Sequence, residues 1–240
     1  MIQLNEEDIR LKLLVGLPIE IKGIGHLHLP SLYEIISMNE STYNTNISYL
    51  LFSKDNLNEN PEEFDPYSDY EILISFLYQD SSFRELIFNA LEMVFGEKPN
   101  YKEGIVYFGE LSEDSVLTEE KWEIIKKVIM IGNFIEVKKV EEYKAGNERA
   151  RKFIEKLKKQ KAEAVKIKPK QSLHSIISSI GWKSIGIDNV FNLTIYQLYN
   201  GLRTLDNIDN YHYTLTGIYT GNIDGKKIKM SEIHWANIIK

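Results

Sequence analysis

The chain has 240 residues, 43% hydrophobic and 27% charged, which is long enough for one large or two small globular domains and too apolar for a disordered protein. It has no cysteine, which excludes disulfides, cysteine-based zinc sites and thiol nucleophiles and fits a reducing cytoplasm. The net charge of -6 gives no general reason to expect nucleic-acid binding. No signal peptide and no apolar run of about 18 residues is seen, so we predict no membrane partner.

The charge is distributed unevenly. Residues 55–120 contain 17 acidic and 3 basic residues, 3 - 17 = -14, whereas residues 138–170 contain 13 basic and 5 acidic residues, 13 - 5 = +8. Such runs are typical of solvated faces. The alternative is that the basic block lies on an acidic partner or on neighbouring copies of the same protein.

The N-terminal region predicts a small amount of β-structure followed by helices. Residues 9–17 are too densely apolar to decide between helix and buried strand. The alternation at 19–21 and 27–29, on either side of a glycine-containing turn, predicts a β-hairpin. Ser31 and Glu34 have the spacing of a capping box and predict a helix to about Met38.

Further helices are predicted from apolar residues three and four positions apart. They cover about 42–52, a helix capped by Ser68 or Asp69, 82–95, and a helix from Thr118 to Gly132. The polar stretch 53–68 predicts a surface loop. Ile105-Val106-Tyr107-Phe108 is a short candidate strand that could join the first hairpin in one small sheet.

The chain divides at a polar connector. Residues 147–161 have a helical pattern with few apolar positions, and 162–171 read as a basic linker. We therefore predict an N-terminal α+β domain with an acidic surface over 1–140, a basic helix and linker over 141–171, and a C-terminal helical bundle over 172–240. The fold class is mainly α (α+β), with helical bundle parts and a small N-terminal β-hairpin or sheet.

The C-terminal part predicts four short helices joined by short turns. The first is ended by Gly181, the second is capped by Asn192 or Thr194, the third by Asp206 or Asp209, and the last begins at Ser231. The last helix should bring Trp235 into the core. Trp235→Ala is then expected to cost about 3 to 5 kcal/mol.

No catalytic or metal-binding motif is present. Gly221 to Lys227 has the wrong spacing for a phosphate loop, and Gly23-Ile24-Gly25 lacks the third glycine of a dinucleotide fold. His26 and His28 could form half of a metal site, but no third ligand follows at a suitable spacing. We predict no enzyme activity, no catalytic residue, no cofactor and no metal. The open alternative is an enzyme in which dispersed histidines converge.

The candidate binding residues are tyrosines and lysines. Interfaces favour tyrosine, although a tyrosine-rich region is more often core. A stripe of lysines on the predicted connector helix could meet phosphates, but the acidic flanking surface would repel a polyanion, so we predict a protein partner and no nucleic acid. The predicted partner-binding residues are Tyr196, Tyr199, Tyr213, Tyr219, Lys152, Lys156 and Lys159.

Both ends of the chain resemble proteins of a known class. The C-terminal phrase is Asn192-Leu193-Thr194-Ile195-Tyr196-Gln197-Leu198-Tyr199, with Leu173 to Ser178 before it and Ile233-His234-Trp235-Ala236 after it. At the N-terminus the phrases are Leu14-Val15-Gly16-Leu17-Pro18-Ile19 and Pro30-Ser31-Leu32-Tyr33-Glu34-Ile35-Ile36. These are similar to proteins of the tail modules of phages and prophages of Gram-positive bacteria.

The resemblance implies a tail assembly chaperone or a minor tail component without catalytic residues. Its expected partners are phage tail proteins or other copies of itself, and its expected location is the host cytoplasm during assembly or the virion tail. The alternative hypothesis is a phage regulatory or anti-defence protein that binds a host protein.

Overall fold

The computed structural model describes residues 5–54, 66–135 and 171–237. The helices are α1 Glu6–Leu14, α2 Leu32–Met38, α3 Glu40–Leu50, α4 Asp69–Gln79, α5 Ser81–Phe95, α6 Glu119–Gly132, α7 Leu173–Ile180, α8 Ile187–Val190 and α9 Ile195–Tyr219. The strands are β1 Ile19–Ile21, β2 Gly25–Leu27, β3 Asn100–Lys102 and β4 Ile105–Tyr107. The predicted fold class, mainly α with small antiparallel sheets, is confirmed. The predicted connector helix at 147–161, with the linker to residue 170, lies outside the described residues.

The helix starts follow their capping residues. Ser31 and Glu34 form the predicted capping box: the Ser31 backbone N–H donates to Glu34 Oε2 at 2.8 Å, and the Glu34 N–H donates to Ser31 Oγ at 3.3 Å. Ser68 forms a second box at α4. Thr118 accepts from the Lys121 backbone and begins α6, as predicted. The dense apolar stretch near the N-terminus forms α1, which resolves the choice between helix and strand.

The predicted hairpin is confirmed, but its second strand is Gly25–Leu27 and not 27–29, and the larger predicted sheet is wrong. β1 pairs with β2 in antiparallel register, with Glu20 opposite His26. β4 pairs with β3 and not with the first hairpin, with Tyr101 opposite Val106. The local turn explains this result, because Glu103 and Gly104 both have positive φ and reverse the chain directly between β3 and β4.

The C-terminal part differs from the four predicted short helices. α9 runs without interruption over 25 residues, so Asp206 and Asp209 lie inside a helix and do not begin one. Apolar residues recur along α9 at helical spacing through Leu198, Leu202 and Leu205 and pack on the core as far as the first aspartate. The preference of aspartate for helix ends is weak and does not interrupt the helix beyond that point.

Gly181 follows the last residue of α7, as predicted, but the chain continues there as a π-helical turn, Gly181–Ile185. The prediction of a last helix is wrong. The stretch 231–237 forms turns in place of a helix, closed by the Asn237 amide, which donates to the Ser231 and Glu232 carbonyls at 2.9 and 3.0 Å. Trp235 is 45% exposed and stacks on His234, so the expected core role is wrong. Trp235→Ala should therefore cost about 1 kcal/mol or less.

A single apolar cluster includes buried residues on both sides of the predicted connector, among them Ile9, Leu32 and Leu198. α9 contacts α1, and the Gln197 amide donates to the Leu14 carbonyl at 3.0 Å. The predicted boundaries near residues 140 and 171 lie within or beside the stretch that the structure does not describe, so the division into domains stays a prediction.

A partly buried ion pair joins α4 to α6. Lys126 Nζ lies 2.9 Å from Asp69 Oδ2, and the other Asp69 oxygen accepts from the Lys54 backbone N–H at 2.9 Å. Burial alone would raise the pKa of Asp69, but the hydrogen bonds from Lys54 and Lys126 outweigh it, and the pKa is lowered. While Asp69 is ionised, it therefore links the N-terminal end of α4 to α6.

Replacing Asp69 with asparagine should lower the free energy of unfolding at pH 7 by about 1 to 3 kcal/mol, because two hydrogen bonds to a charged group are weakened. The folded pKa lies below the unfolded value of about 3.9, so this stabilisation is present above about pH 4 and is lost as the pH falls through the folded pKa. Urea unfolding of both proteins from pH 3 to 7 measures it. A difference that stays constant across this range would contradict the assignment.

Candidate docking groove

Helix α2 has apolar side chains on both of its faces. Leu32 and Ile35 are fully buried, as expected for its inner side. On the outer side Tyr33 is 68% exposed and Ile36 is 50% exposed. A surface helix normally carries polar residues there. An outer face with large apolar residues is a feature of surfaces that bind other molecules.

The start of α2 is held by the C-terminal part of the chain. The backbone N–H of Leu32 donates to the Leu193 carbonyl at 2.7 Å, and that of Tyr33 donates to the Phe191 carbonyl at 2.9 Å. These donors lie in the first turn of the helix, where no intrahelical acceptor is available. The segment between α8 and α9 therefore satisfies them and fixes the position of α2 beside α7 and α8.

The C-terminal part of the chain also contributes Trp182 to this region. It belongs to the π-helical turn after α7 and is 76% exposed. The neighbouring Gly181 is buried, and a Cβ at that position would lie 2.9 Å from Ile187 Cδ1 and 3.2 Å from Ile187 Cα. Glycine thus lets α8 approach closely. Lys183 pairs with Asp209 of α9, which ties the next residue of the turn to the long helix.

A groove of about 520 Å³ separates α2 from the elements that carry Trp182. We call it the aromatic groove. It is lined by Ile36, Asn39, Glu40, Leu173, His174, Ile177, Ser178, Trp182, Ile187 and Phe191. Its volume lies in the range of about 300 to 1,000 Å³ that is usual for binding pockets. Apolar walls with a few polar groups at the edge suit an apolar side chain of a partner.

A second groove lies on the other side of α2, between α2–α3 and α5. It has a volume of about 610 Å³, and we call it the methionine groove. Its lining is Pro30, Tyr33, Glu34, Ser37, Met38, Thr42, Asn46, Asn89, Glu92 and Met93. Methionine side chains adapt to differently shaped partners. The outer face of α2 is therefore a ridge, with Tyr33 at one groove and Ile36 at the other.

The charged residues at the two grooves are acidic. Glu40 borders the aromatic groove, and Glu34 and Glu92 border the methionine groove. Neither lining includes a lysine or arginine among the described residues. Glu40 also lines a cavity of about 190 Å³ with Tyr43 and Tyr199. Burial, and then the negative charge of Glu40, raises the pKa of Tyr199.

The predicted partner-binding tyrosines do not form one surface. Tyr196 is only 4% exposed and stacks on Phe134 at a centroid distance of 5.2 Å, so its ring packs in the core and is not part of an exposed surface. Tyr199 is half-buried beside the same ring. Tyr213 and Tyr219 are exposed on α9, but six residues of helix place them about 120° apart. Their binding role stays a prediction. Lys152, Lys156 and Lys159 lie outside the described residues.

The histidines are distributed over several elements. His26 lies on β2, His174 lines the aromatic groove, and the His234 ring lies 5.4 Å from Tyr211. Within 5–54, 66–135 and 171–237, no group of three or more His, Asp or Glu residues is placed to hold a metal ion. In the same ranges, no helix is long and apolar enough to span a bilayer.

Sequence reasoning did not identify the groove residues. Tyr33, Ile35 and Ile36 lie in one short predicted helix, which therefore has apolar residues on more than one face. Such a helix leaves apolar side chains exposed, and this was the sequence feature that could have indicated the groove. Trp182 stands between two glycines, Gly181 and Gly186, in a stretch without a clear helical stripe. Its position opposite Ile36 depends on contacts between distant parts of the chain, which no local pattern reveals.

The fold and the two grooves define a mainly helical protein with an exposed apolar surface that is bordered by acidic residues. Residues 158–240 match the family model described as "YomV second domain", a phage-derived family of the Bacillus prophage YomV-like type. The match covers 83 residues (240 - 158 + 1), about a third of the chain. It indicates a phage or prophage protein and does not address the tail module. No curated protein and no solved structure matched the chain.

Proposed function

We propose that this chain is a non-enzymatic phage tail assembly protein, either a chaperone or a minor tail component, that binds other tail proteins through the aromatic groove. The observation that carries the proposal is Trp182, which is 76% exposed at an apolar groove whose opposite side holds Ile36. Exposing a tryptophan to water without a partner is unfavourable, and tryptophan, with tyrosine and arginine, is enriched among the residues that dominate binding energy.

The phage origin supports this proposal. An assembly protein must cover apolar surface of a partner before the partner reaches its final position, and a helical groove can do this without chemistry. The similarity of residues 158–240 to a domain of phage-derived proteins is consistent with such a role, and this matched range includes Trp182 and the α7–α8 side of the groove. The proposed location is the host cytoplasm during assembly, and mass spectrometry of purified virions decides whether the protein is retained in the tail.

Affinity purification from phage-producing cells tests the proposal. Recovery of tail proteins should fall at least about 10-fold with Trp182→Ala or with Ile36→Ser, because a central aromatic anchor commonly contributes about 2 kcal/mol or more. The melting temperature should stay within about 2 °C, since both side chains are exposed.

Tyr78→Ala is the matched control, because Tyr78 is 71% exposed on α4 and lies in neither groove lining. It should leave tail-protein recovery unchanged. Recovery of a host defence protein without any tail protein would reject the assembly role and favour the regulatory or anti-defence alternative. Equal recovery with wild type and Trp182→Ala would show that the groove is not the binding site.

A further inference from the structure

We propose that the segment received by these grooves is a cationic amphipathic helix of a partner protein, with apolar side chains on one face and lysine or arginine beside them. This inference rests on the proposed function and specifies the chemistry of the partner. It follows from three properties of the surface: its apolar walls, the sign of its charges, and the type of element that forms it.

The apolar walls require apolar anchors. Leu173, Ile177 and Ile187 form the inner part of the aromatic groove, while Ile36 and Trp182 lie at its exposed sides. Beyond the α2 ridge, Met38 and Met93 line the methionine groove. A partner helix that crosses the ridge can place residues three or four positions apart into these spaces, because such residues lie on one face.

The charges require a cationic partner. Glu40 is exposed and forms no hydrogen bond or ion pair with the residues that the structure describes. On the other side of the ridge Glu92 is exposed, and Glu34 is exposed as well, although its carboxylate accepts the capping-box hydrogen bonds from Ser31. The nearby Lys183 is paired with Asp209, which reduces its effect on an approaching ligand. Complementary charges of this kind accelerate association and exclude acidic competitors.

The surrounding elements favour a helix over an extended strand. The groove linings come from helices and from the segments that join them, and no strand of either described sheet borders them. An extended peptide would find no sheet edge here to accept its backbone hydrogen bonds. A helix satisfies its own backbone groups, so only its side chains need partners.

The test uses a pair of synthetic helical peptides of about four turns, roughly 14 residues, with identical leucine positions, one with lysine and one with glutamate at the remaining positions. Each peptide carries a fluorescein label, and fluorescence anisotropy measures its binding to the full chain. The lysine peptide should bind at least about 10-fold more tightly than the glutamate peptide, and the difference should shrink with added salt. Trp182→Ala should weaken the lysine peptide at least about 10-fold.

Charge variants test whether the lysine peptide binds at the grooves or is only attracted by the acidic surface of the whole protein. The variant Glu40→Lys should weaken the lysine peptide about 5-fold, and Glu40→Gln should weaken it less. Glu97→Lys is the matched control, because Glu97 is exposed after α5 and lies in neither lining; it should bind as the wild type does. Equal loss with Glu97→Lys would show attraction to overall charge and would overturn the inference.

The remaining outcomes separate this inference from the proposed function. If both peptides bind equally, or neither binds, while tail proteins still require Trp182, the cationic partner is wrong and the assembly role stands. If the lysine peptide binds as expected but no tail protein is recovered from cells, the assembly role fails and the partner chemistry stands. The chain's own residues 138–170 are strongly basic. Analytical sedimentation shows whether the chain forms a dimer. A dimer that dissociates with Glu40→Lys would therefore identify a second copy of the chain as the occupant and would overturn the inference of a different partner protein.

Discussion

Replacing Trp122 with alanine is expected to lower the free energy of unfolding by about 3 to 5 kcal/mol, the usual cost of removing a buried large aromatic side chain. Trp122 is fully buried on α6, where Ile125, Val128 and Ile129 are fully buried as well. Removing the indole leaves a cavity between helices. Because these helices also pack against other parts of the core, they cannot move in to fill the cavity.

Urea unfolding measures this change, and two other variants serve as controls. Trp182→Ala should change the unfolding free energy by only about 0.5 kcal/mol, because that side chain is 76% exposed. Trp122→Phe should cost less than Trp122→Ala, since it keeps an aromatic ring and removes an indole N–H that has no hydrogen-bond partner among the described residues. Similar losses for Trp122→Ala and Trp182→Ala would contradict the burial pattern.

The three tryptophans show which features of the fold can be predicted from sequence patterns and which cannot. Trp122 lies in the helix that was predicted from Thr118 to Gly132, where four apolar residues recur at helical spacing within one capped segment. Trp235 was placed in the core for the same reason, but its stretch is short and its turns are closed by the Asn237 side chain. Short helices depend on tertiary packing, which the local pattern does not contain.

Long-range contacts decide the candidate site. The aromatic groove lies between α2 and the C-terminal part, where the Leu193 and Phe191 carbonyls accept hydrogen bonds from the start of α2, about 160 positions earlier in the chain. Sequence patterns identified α2, α7 and the beginning of α9, but they contain no information on which helix ends meet. The unbroken α9 was missed because its aspartates were interpreted as caps, whereas in the structure they lie inside one helix of 25 residues.

Substituting Gly23 with alanine is the second change with a large expected effect, about 2 to 5 kcal/mol of unfolding free energy. Gly23 has φ +77°, a conformation that costs an ordinary residue about 1 to 2 kcal/mol. A Cβ there would also lie 1.9 Å from the Asp114 carbonyl oxygen, a contact that requires backbone movement. The hairpin turn between β1 and β2 therefore packs directly on the loop that precedes α6.

That loop has little freedom to move away. The Ser115 hydroxyl donates to the Glu110 carbonyl at 2.8 Å, and the Ser115 carbonyl accepts from the Phe108 N–H at 3.1 Å. The residue that follows Asp114 is thus held in place, and the strain of a new methyl group falls on the turn of the hairpin. The expected results are a weaker hairpin and a lower stability of the whole chain, because Ile21 and Ile24 are buried in the core.

Gly104→Ala separates the two causes. Gly104 has φ +85° in the β3–β4 turn, but among the described residues no atom beyond its chain neighbours lies within 4 Å of the place that an added methyl group would occupy. It should show the conformational cost alone, about 1 to 2 kcal/mol. Urea unfolding of both variants gives the comparison, with the slope checked for a change in the denatured state. A cost for Gly23→Ala no larger than that for Gly104→Ala would mean that the hairpin turn does not pack on Asp114. The alanine methyl group is the smallest side chain that can be added. A larger loss of unfolding free energy at Gly23 than at Gly104 therefore reports how closely the hairpin turn packs on Asp114.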